Sequence, residues 1–139
     1  MLVLVDTNIW SLALRRSIKY VNALESERIA QFRDLVQDDR VKIIGPIRQE
    51  LLSGIRERLH FEQIRKQLQA FSDEPVVTRD YEEAAQCANR CRSRGISGSN
   101  TDFLICAIAM GRGWQIFTAD TDFRAYVKVL AIQLFPDRA

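Results

Sequence analysis

Leu2-Val3-Leu4-Val5-Asp6-Thr7-Asn8 decides the fold, because a short aliphatic run stops at a carboxylate and gives way to polar, cap-forming residues. Four aliphatic residues in succession suit a strand buried on both faces, as in a parallel sheet covered by helices. Asp6 then falls at the carboxyl end of that strand, the edge where open α/β sheets place their ligands. Taken alone, the same carboxylate reads equally well as the cap of a helix beginning near Ile9, since Asp and Asn are both favoured caps.

Outward from this stretch, strand and helix patterns alternate. Val41-Lys42-Ile43-Ile44 reads as a second strand, and Gly45-Pro46 as a tight turn that puts Pro46 in the first turn of a helix. Ile47, Leu51, Ile55 and Leu59 form the inner stripe of that helix, with Glu50 beside it near the amino end. Gly54, one turn on, lacks a side chain and leaves room for a backbone or a substrate. Ser99, Asn100 or Thr101 caps a further helix that carries Asp102 in its first turn, and Phe103 to Met110 are apolar throughout, so this helix is central. Gly111 and Gly113 end it. Trp114 to Phe117 forms a strand that runs into Thr118-Ala119-Asp120-Thr121-Asp122-Phe123, again a carboxylate just past a strand end.

The remaining elements fill in the alternation. Ile9, Leu12 and Ala13 give a short helical face with Trp10 beside it, and the basic stretch Arg15 to Lys19 is expected to be a loop. A helix is predicted from Asn22 to about Gln37, with Ile29, Phe32, Leu35 and Val36 facing the core. Another is expected over about Phe61 to Phe71, followed by a brief strand at Pro75-Val76-Val77. A helix starting at Thr78 or Asp80 presents Tyr81, Ala84, Ala85 and Ala88 inward. A short helix bearing Arg124 and Lys128 precedes a last strand at Val129 to Ile132.

Composition sets the limits. At 139 residues, 47% apolar and 27% charged, the chain is expected to fold as a single α/β domain over 1–139. No apolar run is long enough to span a bilayer, and the opening residues lack the basic and long apolar segments of a signal peptide, so a cytoplasmic location is expected. Cys87, Cys91 and Cys106 are odd in number and lie in helical segments, which argues against a disulfide framework. Cys87 and Cys91 share a helix face, but the single histidine, His60, is distant in sequence, so buried free thiols are favoured over zinc. The balance of 20 basic against 18 acidic residues, +2, is too mild to announce a nucleic-acid binder.

Each acid has an ordinary explanation taken singly, as a helix cap or a first-turn residue favoured by the helix dipole. Together they form a pattern. In a parallel sheet, strand carboxyl ends and the amino ends of the following helices share one edge, so Asp6, Glu50, Asp102 and Asp120 converge there. Four carboxylates without a counter-charge would raise one another's pKa values and destabilise the fold. A divalent cation removes the conflict, and oxygen ligands with no His or Cys nearby favour Mg²⁺ or Mn²⁺. Such a centre suits phosphodiester hydrolysis. One ion or two would fit, with Asp122 joining the centre, supporting it, or capping the helix near Phe123. Setting the four acids aside raises the balance of the remainder from +2 to +6, an excess that could draw a polyanion. Arg90, Arg92 and Arg94 read equally as phosphate contacts or as cations suited to a helix carboxyl end.

Asp6-Thr7-Asn8 after an apolar strand, Glu50-x-x-x-Gly54, Thr101-Asp102 opening an apolar helix, and Thr118-x-Asp120-x-Asp122-Phe123 resemble, in that order, the PIN-domain ribonucleases, especially the VapC-type toxins of toxin–antitoxin pairs. The resemblance spans nearly the whole chain. It implies a three-layer α/β/α sandwich with a central, mainly parallel sheet. Asp6, Glu50, Asp102 and Asp120 would be the metal-binding acids, with Asn8 or Thr118 supporting them by hydrogen bonds. It further implies an RNA substrate, a homodimer, and inhibition by a VapB-type antitoxin whose tail covers the site. A PIN nuclease outside a toxin pair would share these acids.

Two other readings fit less well. A haloacid-dehalogenase-type phosphatase would want a second acid where Asn8 stands, and a phosphoaspartate receiver would want a lysine near Thr118 and Asp120. A non-catalytic RNA-binding module has no need of all four acids.

Overall fold

The computed structural model describes residues 1–15 and 18–136. Its centre is the strand β1 (Val3–Val5), three residues fully buried on both faces as the aliphatic run requires. Parallel to it on one side lie β2 (Val41–Ile44) and then β3 (Asp73–Glu74). On the other lie β4 (Gln115–Phe117) and β5 (Gln133–Leu134), giving the order β3-β2-β1-β4-β5. The register pairs Val3 with Val41 on one side and with Gln115 on the other. After β1 the chain builds outward in one direction and then returns to build in the other, so the crevice beyond β1 and β4 is a topological switch point.

Helices cover the sheet and make the expected three-layer α/β/α sandwich. Following β1, α1 (Thr7–Arg15) packs with α2 (Ala23–Gln37) and with α3 (Gly45–Ser53), which leads to α4 (Arg58–Leu68). The helix α6 (Asn100–Arg112) lies against β1 and β4 with α5 (Thr78–Ser93) packed along it, and the short α7 (Phe123–Tyr126) follows β4. The apolar run expected to be central is so: Phe103 through Ala109 are all buried. Trp10 is fully buried, donates from its indole to the Val5 carbonyl at 3.0 Å, and meets Phe32 and Phe71 edge-on at 5.0 Å each.

Several sequence expectations shift, each for a local reason. Gly45-Pro46 is not a turn: α3 starts at Gly45 directly from β2, with Pro46 in its first turn as its missing N–H permits. That helix stops at Ser53, so Ile55 is buried from a loop and Leu59, expected inside, is 72% exposed on α4, which also begins three residues before the expected start. Strand β3 ends before Pro75, which has no N–H for a ladder, and the Val77 N–H is taken by the Asp80 carboxylate at 2.9 Å. The inward stripe of α5 is Asp80, Ala84, Cys87 and Cys91, while Tyr81 is 54% exposed and Ala85 faces outward. Asp80 can be buried because Arg112 clasps it, an interaction that holds its carboxyl below the usual range. On α2, Val36 is exposed while Ile29, Phe32 and Leu35 are buried. Gly111 lies within α6, which ends at Gly113 in the left-handed conformation (φ 72°) that favours glycine. The last strand begins only at Gln133, because Val129 and Leu130 both donate to the Tyr126 carbonyl in a turn, and Lys128 lies past α7. Of the expected basic loop, Arg15 closes α1 and Ile18–Tyr20 form a single 3₁₀ turn, whereas Arg16 and Ser17 lie outside the described residues.

All three cysteines are free and buried, and burial pushes their thiols up. Among the described residues no helix is long and apolar enough to cross a membrane.

Candidate metal centre

The crevice beyond β1 and β4 is built by two short connections. From β1 the chain enters α1 through one residue, Asp6, so α1 begins at Thr7 rather than near Ile9. Asp6 closes the start of α1 and is tied to the β4 loop at once. One carboxylate oxygen accepts the first helical N–H, that of Thr7, at 2.8 Å, and the other accepts the Thr118 hydroxyl at 2.7 Å and the Asn8 amide at 3.3 Å. Asp6 is therefore the residue that caps α1. Its carboxylate is buried, 7% exposed. Burial pushes its pKa up to about 6, against the pull of the bonds from Thr118 and Thr7, and the charges of Asp102 and Glu50 add to the rise.

From β4 the chain continues into a loop tied back to β1. The Asn8 amide bridges Asp6 and Thr118, its oxygen accepts the Ala119 N–H at 2.9 Å, and Thr118 Oγ1 accepts the Asp120 N–H at 3.0 Å. Asp120 in turn accepts the Asp122 N–H at 2.9 Å, fixing the loop that presents both acids. Together Asn8 and Thr118 suspend Asp6 and aim the backbone of 118–120.

The third contribution comes from α6. Ser99 is its cap, accepting the Asp102 N–H at 3.0 Å, and this sets Asp102 in the first turn. Asp102, Asp120 and Asp122 each offer a carboxylate oxygen, and the three lie within 4.8 Å of one another. Asp6 and Glu50 fall outside this tight group. Asp6 faces its own hydrogen-bonding web, and Glu50 stands in the second turn of α3, not the first, on an exposed face. Asp6 still feels the centre electrostatically, since the charge of Asp102 raises its pKa, and Glu50 acts on Asp6 in the same way. Gly54, expected to leave room for a backbone or a substrate, is approached by the side chain of Arg15, whose guanidinium donates to the Gly54 carbonyl at 3.1 Å and would lie 3.0 Å from an added Cβ.

The donor set fits a hard divalent cation. Three clustered carboxylates and a buried fourth nearby, with no imidazole or thiol in the group, present hard oxygen ligands.

The helix-end arginines are spent locally in part. Arg90 donates to the Val129 carbonyl at 3.0 Å, Arg92 bonds Asn89 one turn back, and Arg94 is the exposed residue capping α5. Reading the sequence missed three other side chains. Arg28 and Arg124 line a cavity of about 730 Å³ that also includes Thr118 and Asp120. Tyr126 donates its hydroxyl to Asp102 Oδ2 at 2.7 Å. Burial, and then that bond, hold the Tyr126 phenol well above its ordinary range, so it remains a donor. Nothing in the local sequence marks Tyr126, because the pairing joins positions on two separate helices.

A parallel sheet that gathers carboxylates at its switch point defines the class: an α/β protein with an acidic crevice at the strand carboxyl ends. The chain belongs to the PIN domain family, whose model matches residues 3–129. No curated protein matches its sequence. Among solved structures it is similar to FitAcB from Neisseria gonorrhoeae, with 21% identity, a TM-score of 0.76 and 96% of each chain covered. It is similar also to VapBC2 from Rickettsia felis bound to a DNA fragment from their promoter, with 14% identity, a TM-score of 0.75, and 96% of this chain and 97% of that one covered. VapBC-1 from nontypeable Haemophilus influenzae aligns with 15% identity and a TM-score of 0.65 over 96% of each chain. At these identities the likeness is one of fold.

Proposed function

We propose that this PIN-domain protein is a divalent-metal-dependent endoribonuclease, the VapC-type toxin of a toxin–antitoxin pair. The observation that carries the reading is the set of three carboxylates within 4.8 Å of one another beside the buried Asp6, at the switch-point crevice. In this reading Asp102, Asp120, Asp6 and Glu50 hold Mg²⁺ or Mn²⁺, and Asp122 joins them. Asn8 and Thr118 orient Asp6, and Arg28 and Arg124 meet the phosphates of an RNA strand in the adjoining cavity. A bound divalent cation supplies charge neutralisation of the phosphate and a lower pKa for water. The chain's own part is to keep several like charges together and aimed before the cation arrives. Membership of the PIN family, the VapC-like motifs and the fold shared with VapBC and FitAcB support a VapB-type antitoxin as partner. A homodimer acting in the cytoplasm completes the proposal.

The test is cleavage of single-stranded RNA by the purified chain with Mg²⁺ or Mn²⁺, with chelator, and beside Asp6→Asn. Internal cuts that need the metal and vanish in the variant are expected. RNA that is bound but left intact by both forms under all conditions would refute the enzyme, and equal cutting of single-stranded DNA would change the substrate class.

A further inference from the structure

We propose that Tyr126 is a positioning residue for the acidic centre: from a pocket that Gly98 keeps open, its hydroxyl holds one oxygen of Asp102 in place for cation binding. The inference rests on the metal-dependent reading above and deepens it. Tyr126 is completely buried, yet its one polar atom reaches a carboxylate at the mouth of the crevice. A buried phenol needs a partner, and a carboxylate acceptor makes the bond charge-assisted and strong. The ring itself cannot swing away, for it is wedged between Phe103 at 5.1 Å and Phe123 at 5.0 Å.

Gly98 completes the arrangement. A Cβ at that position would lie 2.1 Å from the Tyr126 hydroxyl oxygen and 2.8 Å from the ring carbon that bears it. Only glycine leaves the space in which the hydroxyl sits.

Asp102 depends on this one restraint. Asp6 is held by Thr7, Thr118 and Asn8, and Asp120 by the Asp122 N–H from its own loop, whereas among the described residues the Asp102 carboxylate is held by Tyr126 alone, from a separate helix. Without it, repulsion from Asp120 and Asp122 would turn the side chain outward in the metal-free protein, and cation binding would have to supply the cost of turning it back. Supporting bonds of this kind commonly change metal affinity 10- to 100-fold.

The experiment uses the full chain labelled with 3-fluorotyrosine. It has three tyrosines, of which Tyr20 is 76% and Tyr81 54% exposed, so the buried Tyr126 should be distinct by fluorine NMR. Added Mg²⁺ should move the Tyr126 signal and leave the other two in place. In parallel, Tyr126→Phe, which keeps the ring, and Gly98→Ala, which displaces the hydroxyl, should each weaken Mn²⁺ binding by calorimetry about 10-fold. For Tyr126→Phe, kcat on RNA should recover at saturating Mn²⁺. A folded Tyr126→Phe with the parent's Mn²⁺ affinity overturns the proposal. If that variant does not fold, the parent's fluorine signal decides. Cation binding that leaves the Tyr126 signal unmoved overturns the tyrosine's role while the ribonuclease reading stands. Binding that moves the signal without any RNA cleavage overturns the ribonuclease reading and leaves the tyrosine's role intact.

Discussion

Asp6 and Glu50 follow adjacent strands of one sheet, yet they are held in opposite ways. At the end of β1 a single residue, Asp6, links strand to helix, so its carboxylate is buried and three donors fix it. At the end of β2 no residue intervenes, α3 begins at once with Ile44 as an apolar cap, and Glu50 emerges a turn later on an exposed face. No hydrogen bond or ion pair restrains Glu50 among the described residues. A carboxylate at a strand–helix junction is thus preorganised by the backbone, and one farther along a helix is an adaptable arm. The first should set the geometry of a cation site, and the second should adjust its charge.

The largest expected effect follows directly. Asp6→Asn should lower metal-dependent RNA cleavage by more than about 100-fold if Asp6 is the ligand proposed above, since losing a ligand costs more than the 10- to 100-fold of its supports. Glu50→Gln should cost nearer 10-fold and respond to higher metal concentration. Steady-state rates measured over a Mn²⁺ series separate the two. Equal losses that no metal concentration repairs would erase the distinction between fixed and adaptable acid.

A second effect concerns stability in the absence of metal. The Asp6 pKa is raised from 3.8 to about 6 by burial, so the native state binds a proton more tightly than the unfolded chain does. This group's contribution is therefore most favourable below the unfolded value and is lost as pH rises through about 6. At ~1.4 kcal/mol per pH unit the full cost approaches about 3 kcal/mol above pH 7. The metal-free protein should lose melting temperature between pH 4.5 and pH 7.5 by more than Asp6→Asn does, and Mg²⁺ should restore it at pH 7.5 only where Asp6 is present. Calorimetric scans of both forms with and without chelator test this. Parallel pH profiles would mean that the junction carboxylate is not under electrostatic load, which removes one side of the contrast with Glu50.

What could be read from sequence divides along the same line. The strand ends were legible because hydrophobic runs of period zero and abrupt polar stops depend on neighbours in the chain: β1, β2, β4 and the buried α6 fall where expected. Short edge strands were not. β3 and β5 have two residues each, and Pro75 and the turn around Tyr126 displaced them by amounts that no periodicity records. The inward face of α5 was misjudged because Asp80 looked polar, and only the clasp of Arg112, 32 residues away, makes its burial affordable. In the centre, sequence placed Asp6, Asp102 and Asp120 at one edge through strand ends and a helix cap. It could not rank Asp122 above Glu50 within the tight group, or find Tyr126, since both depend on how a loop and two helices meet in space.

The smallest predicted effect probes the web that distinguishes Asp6. Asn8 joins the two connections of the crevice, donating to Asp6 and Thr118 and accepting from Ala119. Asn8→Ala leaves the Ala119 N–H without that acceptor, a loss worth about 1–2 kcal/mol and a fall in melting temperature of roughly 5 °C. Cleavage should drop about 10-fold, in the range for a supporting bond. Asn8→Asp separates the two functions of the amide. Its carboxylate can still accept from Ala119, so the loop stays tied, but it no longer donates to Asp6 and sets a like charge beside it. Asn8→Asp should therefore keep more stability than Asn8→Ala at pH 5, yet fall below it at pH 8 without metal. If Asn8→Asp instead stays above Asn8→Ala at both pH values, Asn8 acts only as a loop tether, and the fixed geometry of Asp6 comes from Thr7 and Thr118 alone.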